Sequence, residues 1–158
     1  MADKPLPGSY AGITYWGVHT FTGASSAGTA IPFKFKVVPE AGEIALSEEE
    51  AKGKSPQFLV ADLSERLSKG PAKFDVVALL AEPGDDLTND ITLRWKNEDD
   101  RKAVTLGTIA VTAIEPNETC DSGIFDPAQL ADGIDAPKDE LFTARRTAYG
   151  ISFGLRAK

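Results

Sequence analysis

Residues 33–37 read Phe-Lys-Phe-Lys-Val, and strict alternation of that kind fits a strand with one apolar face. Within "TAIPFKFKVVPEAG" (29–42), Phe33, Phe35 and Val37 point one way while Lys34 and Lys36 point the other. "YAGITYWGVHTFTG" (10–23), rich in Tyr, Trp, Val, Ile and Thr, predicts the strand before it. "ASSAG" (24–28) is the turn that joins the two into an antiparallel hairpin. "AKFDVVALLAEPG" (72–84) and "KAVTLGTIAVTAIEP" (102–116) predict a third and a fourth strand. In the fourth, Val104, Leu106, Thr108 and Ala110 share one face, and Thr105, Gly107, Ile109 and Val111 the other. A sheet of this size is marginal, and its two edges must be covered or paired.

Helical spacing fills the connections. "LSEEEAKGKSPQFLVADLSERLSKG" (46–70) predicts two helical pieces. Ser47 before three glutamates starts the first, whose Glu48–Glu50 run is a solvated opening turn. Ser55-Pro56 starts the second, Leu59, Leu63 and Leu67 repeat along it, and Gly70 closes it. Residues 85–101 form an acidic, turn-rich connection, and 117–138 a long coil ordered by packing rather than by a ladder of its own. Trp16 and Trp95 read as core or interface aromatics. A last helix runs from about Asp139 to Gly154, with Asp139 a natural N-cap.

Composition narrows the functional classes. The 158 residues suffice for one domain with a core. A net charge of −7, with no basic cluster longer than Arg145-Arg146, argues against nucleic acid and anionic membranes as partners. The single cysteine, Cys120, can form no internal disulfide and has no histidine near it in sequence. "NET" (117–119) is a formal glycosylation sequon of a kind frequent by chance. The start, "MADKPLPGSY", carries no apolar leader segment. The expected location is cytoplasmic, or periplasmic or secreted if a leader has been removed.

The last helix carries the chemistry. Arg145 and Tyr149 stand four residues apart and share one helical face. An arginine beside a phenol is a common surface pair. It also favours the phenolate, which is a ligand for ferric iron. Periodicity leaves both open, with Tyr149 otherwise a core tyrosine beside Phe142 and Phe153.

"FDPAQLADGIDAPKDELFTARRTAY" (125–149) resembles the proximal haem segment of the catalase family, FDPxxLxxGIxPSxDxxLxARxxAY. "YWGVHTFTGASSAG" (15–28) and the stretch from Phe33 to Asp86 resemble the strands and helices that precede it there. The small catalase-related haem peroxidases are the most similar branch, and the likeness begins near residue 9. It implies an α+β, mostly β fold: the four-stranded antiparallel half of an eight-stranded barrel. A helix pair lies between strands 2 and 3, and a helix ends the chain. The implied organisation is a single domain over 1–158: lead-in 1–9, half-barrel sheet with inserted helices 10–116, wrapping loop 117–138 and tyrosine helix 139–154.

The likeness implies haem as cofactor, with Tyr149 the axial ligand of its iron and Arg145 the guanidinium on that phenolate. His19 continues the proximal hydrogen-bond chain, Asp139 ends it, and Pro127 packs near the proximal face. Arg146 departs from the small residue usual there, and either points to solvent or meets a propionate. The family's distal histidine and asparagine have no counterpart, since His19 is the sole histidine, so no catalytic residue is assigned. The implied function is decomposition of hydrogen peroxide, or peroxide-dependent oxidation, by a haem-proximal half. Its partner is a second copy or a separate N-terminal half, without which catalase activity is slight. The competing readings are a non-catalytic haem-holding or haem-free module, and an enzyme for organic hydroperoxides.

Overall fold

The computed structural model describes residues 5–87 and 91–156. Residues 1–4 of the expected lead-in and 88–90 of the acidic connection lie outside the described residues. In chain order come β1 (Leu6–Pro7), a 3₁₀ turn (Tyr10–Gly12), β2 (Tyr15–Trp16), β3 (Phe21–Ala24), β4 (Ala30–Pro39) and β5 (Ala45–Leu46). There follow α1 (Glu48–Lys52), α2 (Phe58–Lys69), β6 (Ala72–Leu80), β7 (Ala103–Val111), α3 (Asn117–Asp121), β8 (Ile134–Asp135) and α4 (Glu140–Arg156). The main sheet has the order β7-β6-β4-β3-β8, with β2 also on β4. The fold is mixed α+β, as expected, with an antiparallel sheet interrupted by a helix pair and finished by a helix.

The hairpin forms as its sequence predicts. Phe21 pairs with Phe33 and Ala24 with Ala30 in antiparallel register. Gly28 closes the turn at φ +75°, a conformation open to glycine, and its N–H reaches Ser25 O at 2.8 Å. β4 and β6 are antiparallel too, since Glu40 N meets Lys73 O while Ala81 N meets Pro32 O. β6 and β7 run oppositely as well, with Thr108 beside Asp75 and Lys102 beside Leu80.

Three elements differ from the sequence expectation. The first strand is broken: β2 ends at Trp16, β3 begins at Phe21, and His19 and Thr20 between them are buried. Gly17 lies so close to β4 that a Cβ there would stand 3.0 Å from Phe35 O, and beyond it the chain turns His19 inward. α2 begins at Phe58 rather than at Pro56, because Ser55 and Pro56 form a turn closed by Phe58 N to Ser55 O. The long coil does make a short ladder of its own: β8 pairs with β3, Ile134 opposite Gly23 and Asp135 opposite Thr22. Ile134 packs against the core, which draws its backbone to the strand edge.

The chain divides into two compact units. One comprises Met1–Trp16, Lys36–Val77 and Thr105–Ile114. There β1 pairs with β5, and Ile44 packs against Gly8 and Gly12. Ser47 and Glu50 form a reciprocal capping box at α1. Leu59, Leu63 and Leu67 form the half-buried face of α2.

The other unit comprises Gly17–Phe35, Ala78–Val104 and Glu115–Lys158. Phe21, Phe33, Ala78 and Phe142 are its centre, surrounded by Phe35, Leu80, Ala128, Leu130, Ile134 and Ala136. The phenyl rings meet edge to face, Phe33 and Phe35 at 4.9 Å and Phe21 and Phe142 at 6.0 Å. Among the described residues no helix is long and apolar enough to cross a membrane.

Lys34, expected on a polar face, is buried in this unit. Its Nζ donates to Glu98 Oε1 at 2.9 Å, and Glu98 also accepts from Trp95 N and Arg94 Nε. Two cations lie against the buried Trp95 ring, with Lys34 Nζ 4.6 Å and the Arg101 guanidinium 4.8 Å from its centroid. Arg101 donates to both oxygens of Asp85, at 2.6 and 3.1 Å, and to the carbonyls of Leu80 and Lys96. These bonds fasten the acidic connection over the ends of β4 and β6.

The Arg101 hydrogen bond holds the Asp85 carboxyl below its ordinary value, against a smaller opposing effect of burial. A depressed folded-state value means that the stabilisation is complete above the unfolded carboxylate pKa of about 3.9 and is lost as pH falls through the folded value. Asp85→Asn leaves a buried guanidinium without its counter-charge, and it should lower the unfolding free energy at pH 7 by about 3 kcal/mol. Urea titrations of the two proteins should converge as the pH is lowered past that carboxylate range.

Candidate functional site

α4 starts where a side chain replaces its missing turn. Asp139 Oδ1 accepts from Phe142 N at 2.6 Å, and Asp139 O accepts from Thr143 N. One face of the helix then carries Phe142, Arg145, Tyr149 and Phe153 at spacings of three and four. Phe142 is buried in the core and Tyr149 is half-buried, while Arg145 reaches out from the helix.

The bend between β2 and β3 delivers His19 to this face. Its ring packs edge-on against Phe142 at 5.2 Å. Arg145 Nη1 lies 3.4 Å from His19 Nε2, and Asp139 Oδ2 lies 3.3 Å from His19 Nδ1. A guanidinium nitrogen can only donate, so Nε2 is the acceptor and the ring proton sits on Nδ1, facing the carboxylate. The Nδ1 to Oδ2 approach is within ion-pair range but out of line for a good hydrogen bond, and neither atom has another partner among the described residues. The order of the line is Asp139, His19, Arg145, with Tyr149 one turn further along the same helix.

Of the five residues singled out from sequence, the structure joins His19, Asp139 and Arg145 by direct contact. Tyr149 shares their helical face, and among the described residues nothing hydrogen-bonds to its Oη. Pro127 is half-buried in the loop before β8. That loop is tied to α4 by its neighbour: Asp126 Oδ1 accepts from Ala128 N, and Asp126 Oδ2 accepts from Arg146 Nε at 3.3 Å. Arg146 is thus an exposed side chain held at its Nε by Asp126. The tie escaped the sequence reading, although an acid beside the proline was there to be seen. Cys120, expected in a loop, is exposed in the short α3. Among the described residues no group of three or more His, Cys, Asp or Glu side chains forms a metal cage.

The line predicts a tautomer that can be read directly. Asp139→Asn keeps the oxygen that caps α4 but turns an amide N–H toward His19 Nδ1–H. The proton should move to Nε2, which then faces the Arg145 guanidinium donor to donor. Nitrogen-15 shifts of the His19 ring should show the Nδ1–H form in the parent protein and its loss in the variant, with the helix retained.

Comparisons with known proteins agree with the residue pattern. A family model described as Catalase matches residues 1–154. The chain is 35% identical over 153 residues to the catalase-related peroxidase of Mycolicibacterium paratuberculosis, covering 96% of this chain and 48% of that protein. It is 31% identical over 160 residues to the catalase-related peroxidase of Synechococcus elongatus, covering 100% of this chain and 46% of that protein. Catalase A from Saccharomyces cerevisiae superimposes with a TM-score of 0.80 at 18% identity, over 96% of this chain and 33% of that one. A bacterial catalase does so with 0.79 at 20% identity, over 96% and 31%. The two structures speak to the fold alone. The chain spans about half the length of the curated relatives it matches. With the match running through the FDP loop and the tyrosine helix, the chain belongs to the catalase family.

Proposed function

We propose that this chain is the haem-proximal part of a catalase-related peroxidase, acting on hydrogen peroxide by decomposing it or by using it to oxidise a second substrate. The observation that carries this reading is the Asp139–His19–Arg145 line, built onto the helix that presents Tyr149. The donor set fits haem. Among the described residues nothing hydrogen-bonds to the Tyr149 phenol oxygen, which leaves it open to a metal, and the Arg145 guanidinium belongs to the same helical face. His19 and Asp139 hold Arg145 from behind, and so set where that positive charge stands. Haem, when bound, supplies the ferric centre at which peroxide reacts, and an anionic oxygen ligand favours the ferric state.

The chain's own residues do the proximal work only. Peroxide turnover also needs a base that takes and returns a proton between the two peroxide oxygens. The sole histidine is His19, and it is committed to Arg145 and Asp139. The base therefore comes from polypeptide outside these residues, either the rest of a catalase-length protein or a second copy. The competing reading, a haem-holding or haem-free interaction module, needs no such base.

Ferric haem titration of the purified chain, followed by absorption, tests the reading. Saturable binding with a tyrosinate-type high-spin spectrum is expected, and Tyr149→Phe should weaken it at least ~10-fold. Equal affinity in the variant would favour the interaction module. The haem-loaded chain should release dioxygen from peroxide no faster than free haem does, and rapid release from this chain alone would refute the assignment of the base.

A further inference from the structure

The His19 ring is hydrogen-bonded on one side only. Arg145 Nη1 reaches its Nε2 at 3.4 Å. On the other side Nδ1 and Asp139 Oδ2 are 3.3 Å apart, both closed off from solvent, and neither completes a hydrogen bond. Buried polar atoms left in this state are rare in folded proteins, and each calls for an explanation. The charged groups that the described residues bring against the ring are Asp139 and Arg145, from α4 and its cap, and its aromatic neighbour is Phe142. A neutral imidazole has one lone pair to offer, and here it goes to the guanidinium. An imidazolium has two N–H donors and no acceptor, so it fits the carboxylate and has no place for the guanidinium. The two charge states of the ring therefore suit different partners.

We propose that His19 is an acid-sensitive latch on Arg145. In the neutral ring the Nε2 lone pair holds the guanidinium. A proton taken from water turns that lone pair into an N–H, which meets the Arg145 N–H groups donor to donor. Arginine does not give up a proton, so the contact opens. The ring, now a cation, turns Nδ1–H into line with Asp139 Oδ2 and makes the charge-assisted bond that the neutral ring lacks. Asp139 Oδ1 keeps its bond from Phe142 N, so the start of α4 stays as it is. Among the described residues His19 Nε2 is the one hydrogen-bond partner of the Arg145 guanidinium, and Arg145 is exposed, so the freed side chain passes into solvent. Imidazole suits such a device because it is the side chain that changes charge in mildly acidic water. The consequence for haem rests on the reading of the chain as the proximal part of a catalase-related peroxidase. It adds regulation to that site: acid releases the guanidinium that His19 holds on the face of Tyr149, and haem binding weakens with it.

The test records nitrogen-15 and proton spectra of the haem-free chain from about pH 8 down to about pH 5. His19 is the sole histidine, so its ring signals are read without ambiguity. As Nε2 takes its proton, the Arg145 guanidinium signals should move with the same midpoint and lose their restricted rotation, while the Phe142 amide stays protected. A ring that takes no second proton in that range overturns the proposal. So does a ring that takes one while the Arg145 signals stay unchanged, and so does a Phe142 amide that loses protection at that midpoint, which would mean that the helix start unfolds. Ferric haem is then titrated over the same range. Binding through a tyrosinate releases a proton by itself. Below the His19 midpoint the parent chain should lose a further factor of about ten in affinity per pH unit compared with His19→Gln, whose side chain can accept and donate but does not titrate. Equal slopes in the two chains overturn the proposal. A latch that opens in a chain that binds no haem sinks the haem reading alone, and haem binding with a latch that stays shut sinks this proposal alone.

Discussion

Phe142 is the residue on which the rest of the proposed site depends. Its ring meets Phe21 of β3 at 6.0 Å and the His19 imidazole at 5.2 Å, both edge to face. It is the one residue of α4 that is fully buried, so its packing decides how the helix lies on this part of the sheet. Arg145 follows three residues later and Tyr149 four after that, and both take their direction from that contact. A void at Phe142 would cost the helix its anchor and the imidazole its wall in one step.

The same contact explains why a histidine is held where the strand ought to continue. Residues 15–24 have the composition of one unbroken strand, yet the ladder lapses between Trp16 and Phe21. The lapse lets His19 point to α4, where it meets a carboxylate on one nitrogen and a guanidinium on the other. Asp139 has two tasks with two oxygens: one caps the helix and the other faces the ring. Helix start and polar line are therefore locked together, and neither can shift without the other.

A second polar assembly, around Trp95, has a different character. Lys34, Glu98, Arg101 and Asp85 are buried as two ion pairs, completed by backbone groups and by Arg94 on Glu98. Paired charges of this kind tie an irregular acidic connection to β4 and β6, where apolar side chains are few. Their worth lies in fixing one arrangement of the connection more than in net stabilisation, since desolvation offsets much of their attraction.

Local rules written in the residues account for most of the elements. Alternation in 33–37 determined β4, the Ser47 box determined α1, and the spacing of Asp139, Phe142, Arg145 and Tyr149 determined α4 and the face its chemistry uses. These are short-range effects, settled by sterics and hydrogen bonds within a few residues. The family likeness was legible for the same reason, because the FDP loop and the tyrosine helix are contiguous. What alternation could not tell was that Lys34 would be covered, since that depends on a connection some 64 residues away folding back over it. Nor could it tell that the first strand would break at His19, because the partner that turns the ring inward lies 126 residues further on. Those outcomes belong to the tertiary structure, where burial and pairing between distant segments outweigh the preference of any one of them.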